Sequence, residues 1–392
     1  MALPKKILFA GGSHADIPQI LEAKKRQLQV FTVGNSKKDK GHSFADKNFF
    51  LDYSDKNKIL ELAKKLKIDF IISSANDFSH LTASYVANEL NLPGYDPINT
   101  NEIIHYKDKF KSFCEKNNLP VAKQYNESKI NELSEKDFPI ITKPTDLTGG
   151  KGMSISSNTN ELKKSIEFAR KASRSKKIVI EKFINGSNHA MCSIVKNGRI
   201  EFYFFDNEHY YLNNFLVSGA SSHSIIPHKI QLKILNDIKK IISILSLVDG
   251  ILHLQFKFNN GEYYFLEICR RPPGDLYTKF VTLATGVNIP LIILNSFTDY
   301  DYPTSELRRN QKEKFVLRHC LMSNQSGKID NIYFDNEIKK NITEKFDFLN
   351  SGDQISDHMT EKLSIFFLEF SSKQEMDKNI SLINEKIIIN FR

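Results

Sequence analysis

Cysteine is scarce in this chain of 392 residues, which contains only four. The four stand at Cys114, Cys192, Cys269 and Cys320, and no two have the spacing of a zinc or redox motif. We therefore expect reduced thiols. No apolar run approaches the roughly 20 residues that a membrane helix needs. The apolar part of the amino terminus is too short for a signal peptide. These shortages favour a cytoplasmic protein without a membrane partner.

The chain also lacks the signatures of several ligand classes. Its net charge is +9, but it has no basic tail with interleaved aromatic residues, and its lysines follow amphipathic helix patterns such as 24–27 and 64–67. We therefore predict no nucleic-acid partner. No Walker loop is present, and GGSHAD at 11–16 lacks the third glycine of a dinucleotide fingerprint. A nicotinamide dehydrogenase is correspondingly disfavoured.

Strand and helix patterns alternate over the first hundred residues. Such alternation predicts a parallel, doubly wound α/β sheet, which binds ligands at the carboxyl ends of its strands. The strand patterns lie at 5–12, 28–34, 47–52 and 69–77, and the helix patterns lie at 16–27, 55–67 and 80–94.

The remaining chain is predicted to form one larger and one smaller unit. A helix over 102–117 leads into a strand-rich segment, and a helix at 229–247 precedes a hairpin at 251–268. A shorter α+β segment follows near the carboxyl terminus. We place the boundaries so that the three domains cover residues 1–100, 101–310 and 311–392.

A glycine-rich turn lies between two predicted strands of the strand-rich segment, in TKPTDLTGGKGM at 142–153. Gly149, Gly150 and Gly152 would let backbone amides approach a polyphosphate closely. Lys143, at the end of the preceding strand, would add a point charge. A flexible hairpin tip would have the same composition, so this motif alone leaves both interpretations open.

The hairpin at 251–268 carries the most specific pattern. Gln255 on its first strand and Glu267 near the end of its second can reach one cation, because hairpin strands are neighbours. Arg271 follows four residues after Glu267 and suits a phosphate held by that cation. Its neighbour Arg270 could pair with Asp275 or bind a carboxylate.

Two lysines, the glycine turn, IEKFINGSNH at 180–189 and HLQF…YYFLEICRRPPGDLY follow one another in order. This order resembles the ATP-grasp superfamily over about residues 5–300, and most of all the branch of biotin carboxylase and the carboxylate–amine ligases. The resemblance implies an ATP-grasp fold preceded by a Rossmann-like pre-ATP-grasp parallel sheet domain. Within 101–310 it implies a lid at about 121–190 and a metal-binding part at about 191–310.

The resemblance also implies a role for individual residues, with ATP and Mg²⁺ (or Mn²⁺) as cofactors. Arg271, Glu267 and Lys143 would be catalytic, and Glu267 and Gln255 would bind metal. The nucleotide would be held by phosphate-binding lysines, the glycine lid and a strand end that meets adenine and ribose, namely Lys109, Lys143, Gly149, Gly150, Gly152, Glu181, Phe183, Ile184 and Asn188.

Two departures from the family leave alternatives open. Gln255 and Cys269 stand where many members have glutamate and asparagine, so Glu267 is the one strong carboxylate ligand. The favoured function is an ATP-dependent ligase that activates a carboxylate as an acyl phosphate and joins it to an amine, from an amino acid or small peptide. The alternatives are a bicarbonate-using carboxylase and a catalytically weak regulatory ATP-binding protein. The resemblance further suggests a homodimer.

Overall fold

The computed structural model describes residues 3–147, 149–307 and 313–392. Its strands are β1 (Lys6–Ala10), β2 (Gln29–Val33), β3 (Lys47–Phe49), β4 (Phe70–Ser73), β5 (Ile140–Pro144), β6 (Ser154–Ser156), β7 (Ile178–Lys182), β8 (Ser187–Lys196), β9 (Arg199–His209), β10 (Gly219–Ser221), β11 (Gly250–Asn259), β12 (Glu262–Cys269), β13 (Phe315–Leu321), β14 (Gly327–Phe334), β15 (Ile342–Asp347), β16 (Gln354–Ile355), β17 (Ser364–Phe370) and β18 (Ile387–Phe391). Its α-helices are α1 (Ile17–Lys25), α2 (Lys56–Leu66), α3 (Asp77–Leu90), α4 (Ile98–His105), α5 (Lys107–Lys116), α6 (Thr159–Ala172), α7 (His228–Leu245), α8 (Tyr277–Thr285), α9 (Ile289–Ser296), α10 (Asn336–Lys339) and α11 (Lys373–Leu382).

The amino-terminal sheet is parallel, in the order β3-β2-β1-β4, which confirms the predicted α/β architecture. Its two central strands, QVFTV (β2) and KILFA (β1), are almost entirely buried, as expected when helices cover both faces of a parallel sheet. Helix α3 begins directly after β4, where the Asn76 side chain accepts hydrogen bonds from the amides of Phe78 and Ser79. Asp77 is thereby placed at the carboxyl edge of this sheet.

The single helix predicted over 102–117 is wrong, because the chain breaks at Tyr106. This residue is extended (φ −94°, ψ 119°), so α4 ends at His105 and α5 begins at Lys107. Both flanking side chains are held by tertiary contacts: His105 bonds to Asp77, and Lys107 donates to the carbonyl oxygen of Leu147. Such contacts outweigh a weak local helix preference.

A second sheet is small and antiparallel, in the order β6-β5-β7. Helix α6 covers it through a core that includes Ile140, Leu162 and Ile166. The glycine-rich turn connects β5 to β6, and its three glycines have φ of +67°, +73° and +71°. Side chains rarely adopt this left-handed conformation, which accounts for glycine at these positions.

The largest sheet has eight antiparallel strands in the order β12-β11-β8-β9-β10-β13-β17-β15. The β11–β12 hairpin forms one edge, and three strands from beyond residue 313 complete the other. One buried core joins this sheet to the amino-terminal unit, since it contains Ile7, Phe204 and Phe367 together. A further three-stranded sheet, β16-β14-β18, lies near the carboxyl terminus. The domain boundaries at residues 100 and 310 stay a prediction.

None of the helices in the described ranges combines the length and apolar character that a membrane crossing requires. The four cysteines are free and buried.

Candidate active site

The β11–β12 hairpin places Gln255 directly opposite Glu267. Opposed residues of an antiparallel pair project from the same face, so the two predicted metal ligands are neighbours. A register shift follows Gln255, at the step to Phe256. The amide nitrogen Nε2 of Gln255 donates to Oε1 of Glu208 over 2.5 Å, which leaves the amide oxygen of Gln255 for another partner. The structure thus brings an amide and two carboxylates to one end of the hairpin.

The lysine beside Glu267 is Lys107, which the sequence analysis did not select. Its Nζ lies 3.2 Å from Oε2 of Glu267 and donates over 2.9 Å to the carbonyl oxygen of Leu147, next to the glycine turn. Burial lowers the pKa of Lys107, but Glu267 and Asp77 outweigh burial and raise it. Lys109, the predicted phosphate ligand, lies on the exposed side of α5 and pairs with Glu102, so the structure does not bring it to the site.

Lys143 lies in a buried cluster with Glu181 and Lys111. Its Nζ donates to Oε2 of Glu181 over 2.9 Å, and Lys111 Nζ stands 3.4 Å from Oε1 at ion-pair distance without forming a hydrogen bond there. Lys111 donates instead to the carbonyl oxygen of Phe265. Burial would raise the pKa of Glu181, but the charges of the two lysines lower it to about 2. The side chain of Glu181 therefore orients two cations.

Arg271 is held by Asp77, the first residue of helix α3 in the amino-terminal unit. Its Nε lies 2.6 Å from Oδ1 of Asp77, which also accepts a 2.9 Å hydrogen bond from Nδ1 of His105. Burial would raise the pKa of Asp77, but Arg271 and His105 hold it well below its usual range. Asp77 therefore raises the pKa of Arg271 against the effect of burial. This pair joins two parts of the chain at the site.

The glycine turn packs against the loop that precedes β10. A methyl group added at Gly150 would stand 2.4 Å from Cβ of Phe215, and one added at Gly152 would stand 2.7 Å from Cβ of Ala172. Gly149 faces Leu216 at an ordinary contact distance. Two of the three glycines thus also permit a close approach of neighbouring residues.

The predicted adenine residues lie where β7 ends and β8 begins. The amide of Phe183 donates to the carbonyl oxygen of Pro139 over 2.9 Å, and its ring faces Lys257 Nζ at 5.2 Å. Ile184 is half-buried in the segment that leads to Gly186. Asn188 lies opposite Glu208 in the β8–β9 register, and Glu208 accepts the hydrogen bond from Gln255. The structure therefore groups Phe183, Ile184 and Asn188 along one strand end.

Two spaces adjoin these residues. A cavity of about 10 Å³, the size of one water molecule, is bounded by His105, Lys107, Glu267 and Arg271. A cleft of about 230 Å³ separates the carboxyl edge of the amino-terminal sheet from the glycine turn. Asp77 borders both spaces. The cleft and the cavity beside the carboxylate–arginine hairpin therefore have Asp77 in common.

Four functional candidates were missed by sequence reasoning: Lys107, Lys111, Asp77 and Glu208. Lys107 and Lys111 stand two positions before and two positions after Lys109 in KDKFK, so composition could not separate them from Lys109. Arg270 was expected either to pair with Asp275 or to bind a carboxylate. The pairing is wrong, because Arg270 bonds to Asp96 at 2.8 Å and Asp275 to Lys362.

The donor set suits a cation that is shared with a ligand. Across the described ranges, no three side chains of His, Cys, Asp or Glu converge in the manner of a complete metal site. Glu267 and the amide oxygen of Gln255 are hard oxygen ligands of the kind that Mg²⁺ prefers. Mg²⁺ commonly takes one or two carboxylates and completes its shell with phosphates and water. The residues present fit that pattern.

The glycine turn on the small antiparallel sheet and the carboxylate–arginine hairpin on the large one are the two parts that the ATP-grasp resemblance implied. Residues 107–292 match the family described as "Carbamoyl-phosphate synthase L chain, ATP binding domain". This match covers slightly less than half of the chain, and it confirms the resemblance found in the sequence.

Similar proteins support the same assignment. Formate-dependent phosphoribosylglycinamide formyltransferase of Prochlorococcus marinus is 25% identical over 330 residues, which cover 80% of this chain and 82% of the relative. Among solved structures, L-amino acid ligase from Bacillus licheniformis superposes with a TM-score of 0.82 at 19% identity over the whole of both chains. Biotin carboxylase from Campylobacter jejuni superposes with a TM-score of 0.77 at 14% identity, covering 98% of this chain and 92% of that one. At these identities the structural likenesses show the fold.

Proposed function

We propose that the chain is an ATP-dependent, ADP-forming ligase that activates a carboxylate as an acyl phosphate and joins it to an amine. The observation that carries this function is that Glu267, Lys107 and Arg271 line one cavity, with Lys107 Nζ 3.2 Å from Glu267. Gln255 faces Glu267 in the hairpin register. These groups offer one anionic metal ligand and two cations to a nucleotide triphosphate. Phosphoryl transfer needs this combination, because its catalysis consists of alignment and charge neutralisation.

The reaction takes place in two steps. An oxygen of the substrate carboxylate attacks the γ-phosphorus, the bond to ADP breaks, and an acyl phosphate forms. The nitrogen of the amine then attacks the acyl carbon and loses a proton, and inorganic phosphate leaves. Lys107, Lys143 and Arg271 would offset the negative charge of the phosphates, and the glycine turn would exclude water from the acyl phosphate.

The Mg²⁺ of this proposal would be held by Glu267 and Gln255, with Glu208 orienting the amide of Gln255. When bound, the ion supplies charge neutralisation between the terminal phosphates. Phe183, Ile184 and Asn188 would meet the adenosine end, and Glu181 would act through its side chain, by orienting Lys143 and Lys111. Lys109 is replaced in this proposal by Lys107.

An amine acceptor is favoured over bicarbonate. One relative that matches four fifths of the chain is named formate-dependent phosphoribosylglycinamide formyltransferase. The likeness to biotin carboxylase concerns the fold. The substrates of this chain are proposed to be a small carboxylic acid and an amino acid or other small amine. A cytoplasmic location and a homodimer stay predictions.

Phosphate release with paired substrates tests this function. Purified protein with ATP and Mg²⁺ is expected to release phosphate when a carboxylic acid and an amine are supplied together, and mass spectrometry should detect the amide. Candidate pairs are formate or amino acids with amino acids or phosphorylated amines. ATP binding without release across carboxylates, amines and bicarbonate would favour the regulatory alternative. Release with bicarbonate alone would favour the carboxylase.

Replacing Gly150 by alanine is expected to lower kcat/KM for ATP by about 10-fold or more. The new methyl group would meet Cβ of Phe215 at 2.4 Å and its carbonyl oxygen at 2.8 Å, so the turn could not keep its position. Steady-state ADP formation measures the effect. Gly198→Ala is the matched control, because Gly198 also has a positive φ (+70°) but faces open space. Equal losses in the two variants would show that backbone strain alone is responsible.

A further inference from the structure

Two consecutive arginines follow the hairpin, and each is paired with an aspartate from the amino-terminal part of the chain. Arg270 bonds to Asp96 at 2.8 Å, and Arg271 bonds to Asp77 at 2.6 Å. Both pairs are largely buried, with the arginine side chains 3% and 9% exposed. Because the two pairs consist of the same residue types and are adjacent in the chain at their arginines, a difference in their remaining hydrogen bonds indicates different roles.

All three nitrogens of the Arg270 guanidinium form hydrogen bonds within the protein. Its Nε donates to Asp96, Nη1 donates to the carbonyl oxygen of Ile251, and Nη2 donates to the carbonyl oxygens of Val248 and Asp249. Asp96 in turn accepts from the amide of Val248. Four of the five N–H donors of this guanidinium are thus bonded to protein, and the side chain is buried. This pair is structural.

Arg271 keeps part of its guanidinium available. Its Nε donates to Asp77 and Nη1 donates to the carbonyl oxygen of Pro272, whereas Nη2 makes no hydrogen bond with any described residue. The side chain lines the same small cavity as Glu267 and Lys107. Because a guanidinium is planar, fixing Nε fixes the direction of the two terminal nitrogens. Asp77 thus determines where the donors of Arg271 point.

Asp77 is itself held rigidly. It is the first residue of α3, which Asn76 caps, and its Oδ1 accepts the second hydrogen bond from His105. The ionised carboxylate only accepts, so Nδ1 of His105 carries the hydrogen. His105 ends α4, just before the break that orients Lys107. Asp77 therefore contacts Arg271 directly and bonds to His105, which lies two residues before Lys107 in the chain.

We infer that Asp77 is a positioning residue for the phosphoryl-transfer step, acting through Arg271. The inference rests on the proposed function. It also means that the reaction centre is assembled across two parts of the chain, since helix α3 of the amino-terminal unit supplies the acid that orients the arginine following β12. Displacement of a reacting group by about 1 Å can cost on the order of 10²-fold in rate.

Asp77→Asn in the full-length protein is expected to lower kcat for ADP formation by about 10- to 100-fold. The KM for ATP and the affinity for a fluorescent ATP analogue should stay within about threefold, because the lysines and the strand end are untouched. Asp77→Glu should recover part of the lost kcat. Asp96→Asn is the matched control. It is expected to lower the melting temperature while leaving kcat of the folded enzyme near the wild-type value.

The double variant separates an effect through Arg271 from a general one. If Asp77 acts through Arg271, Asp77→Asn combined with Arg271→Ala should be no slower than Arg271→Ala alone. Additive losses, or a wild-type kcat in a folded Asp77→Asn protein, would overturn the inference. Glu267→Gln distinguishes this outcome from failure of the proposed function: if that variant also turns over normally, the function itself is wrong.

Discussion

Replacing Glu267 by alanine is expected to abolish ADP formation, with a fall in kcat of about 10³-fold or more. Glu267 is the one predicted metal ligand that carries a charge, and its partner in register, Gln255, is neutral. Removing it would leave the terminal phosphates without the cation that neutralises them, and Lys107 would lose the carboxylate that lies 3.2 Å away. Glu262, the other carboxylate of strand β12, lies at its far end and is not placed to replace this hard anionic ligand.

The measurement is a coupled assay of ADP in the presence of ATP, Mg²⁺ and the substrates found in the phosphate-release screen. Glu262→Ala is the control, because Glu262 lies on the same strand β12 but is exposed at its far end. Glu267→Gln keeps the size of the side chain and should be nearly as inactive. Turnover at the wild-type rate in Glu267→Ala would remove this residue from the mechanism.

Replacing Glu181 by alanine is expected to lower the free energy of unfolding by about 3–5 kcal/mol. Glu181 stands between two lysines, and the side chains of Lys111 and Lys143 are only 1% and 9% exposed. Removing the acid leaves two buried positive charges without a counter-charge, and each already bears the cost of desolvation. Urea unfolding followed by circular dichroism measures the difference. Glu167→Ala, on the exposed face of α6, should change it by less than about 0.5 kcal/mol.

The contribution of Glu181 also depends on pH in a defined direction. Its pKa in the folded protein is lowered to about 2, below the value near 4.3 expected in the unfolded chain. The stabilisation is therefore fully present above about pH 5 and is lost as the pH falls toward 2. We expect the difference between wild type and Glu181→Gln to shrink over this interval. A difference that stays constant from pH 7 to pH 3 would contradict the lowered pKa.

The sequence predicted the parts of the site that are close together along the chain. Glu267 lies on strand β12 and Arg271 follows four residues later, just after the strand ends. Gln255 faces Glu267 across a hairpin with a short turn, so the local sequence pattern was sufficient to predict that the three residues are close together. The parallel sheet was predictable for the same reason, because alternating strands and helices leave a local periodicity. These predictions needed no knowledge of distant contacts.

The missed residues depend on contacts between distant segments. Asp77 and Arg271 are 194 positions apart, and no pattern in either segment indicates the other. The choice among the lysines of α5 depends on the break at Tyr106, which tertiary contacts on both sides maintain. Glu181 was assigned to the adenine site, which stays a prediction, and the ion pairs of its side chain with two lysines could not be read from the sequence.

The continuation of the large sheet into the carboxyl-terminal segment limits how the chain could be shortened. Strand β13 pairs with β10, and the amide of Cys320 and the carbonyl oxygen of Val316 bond to Ser218 and Ser222 on either side of that pairing. A protein truncated after residue 310 would present an open β edge beside an uncovered apolar core. Because an open edge can pair with a second copy of the chain, we expect the carboxyl-terminal strands to protect the protein from self-association.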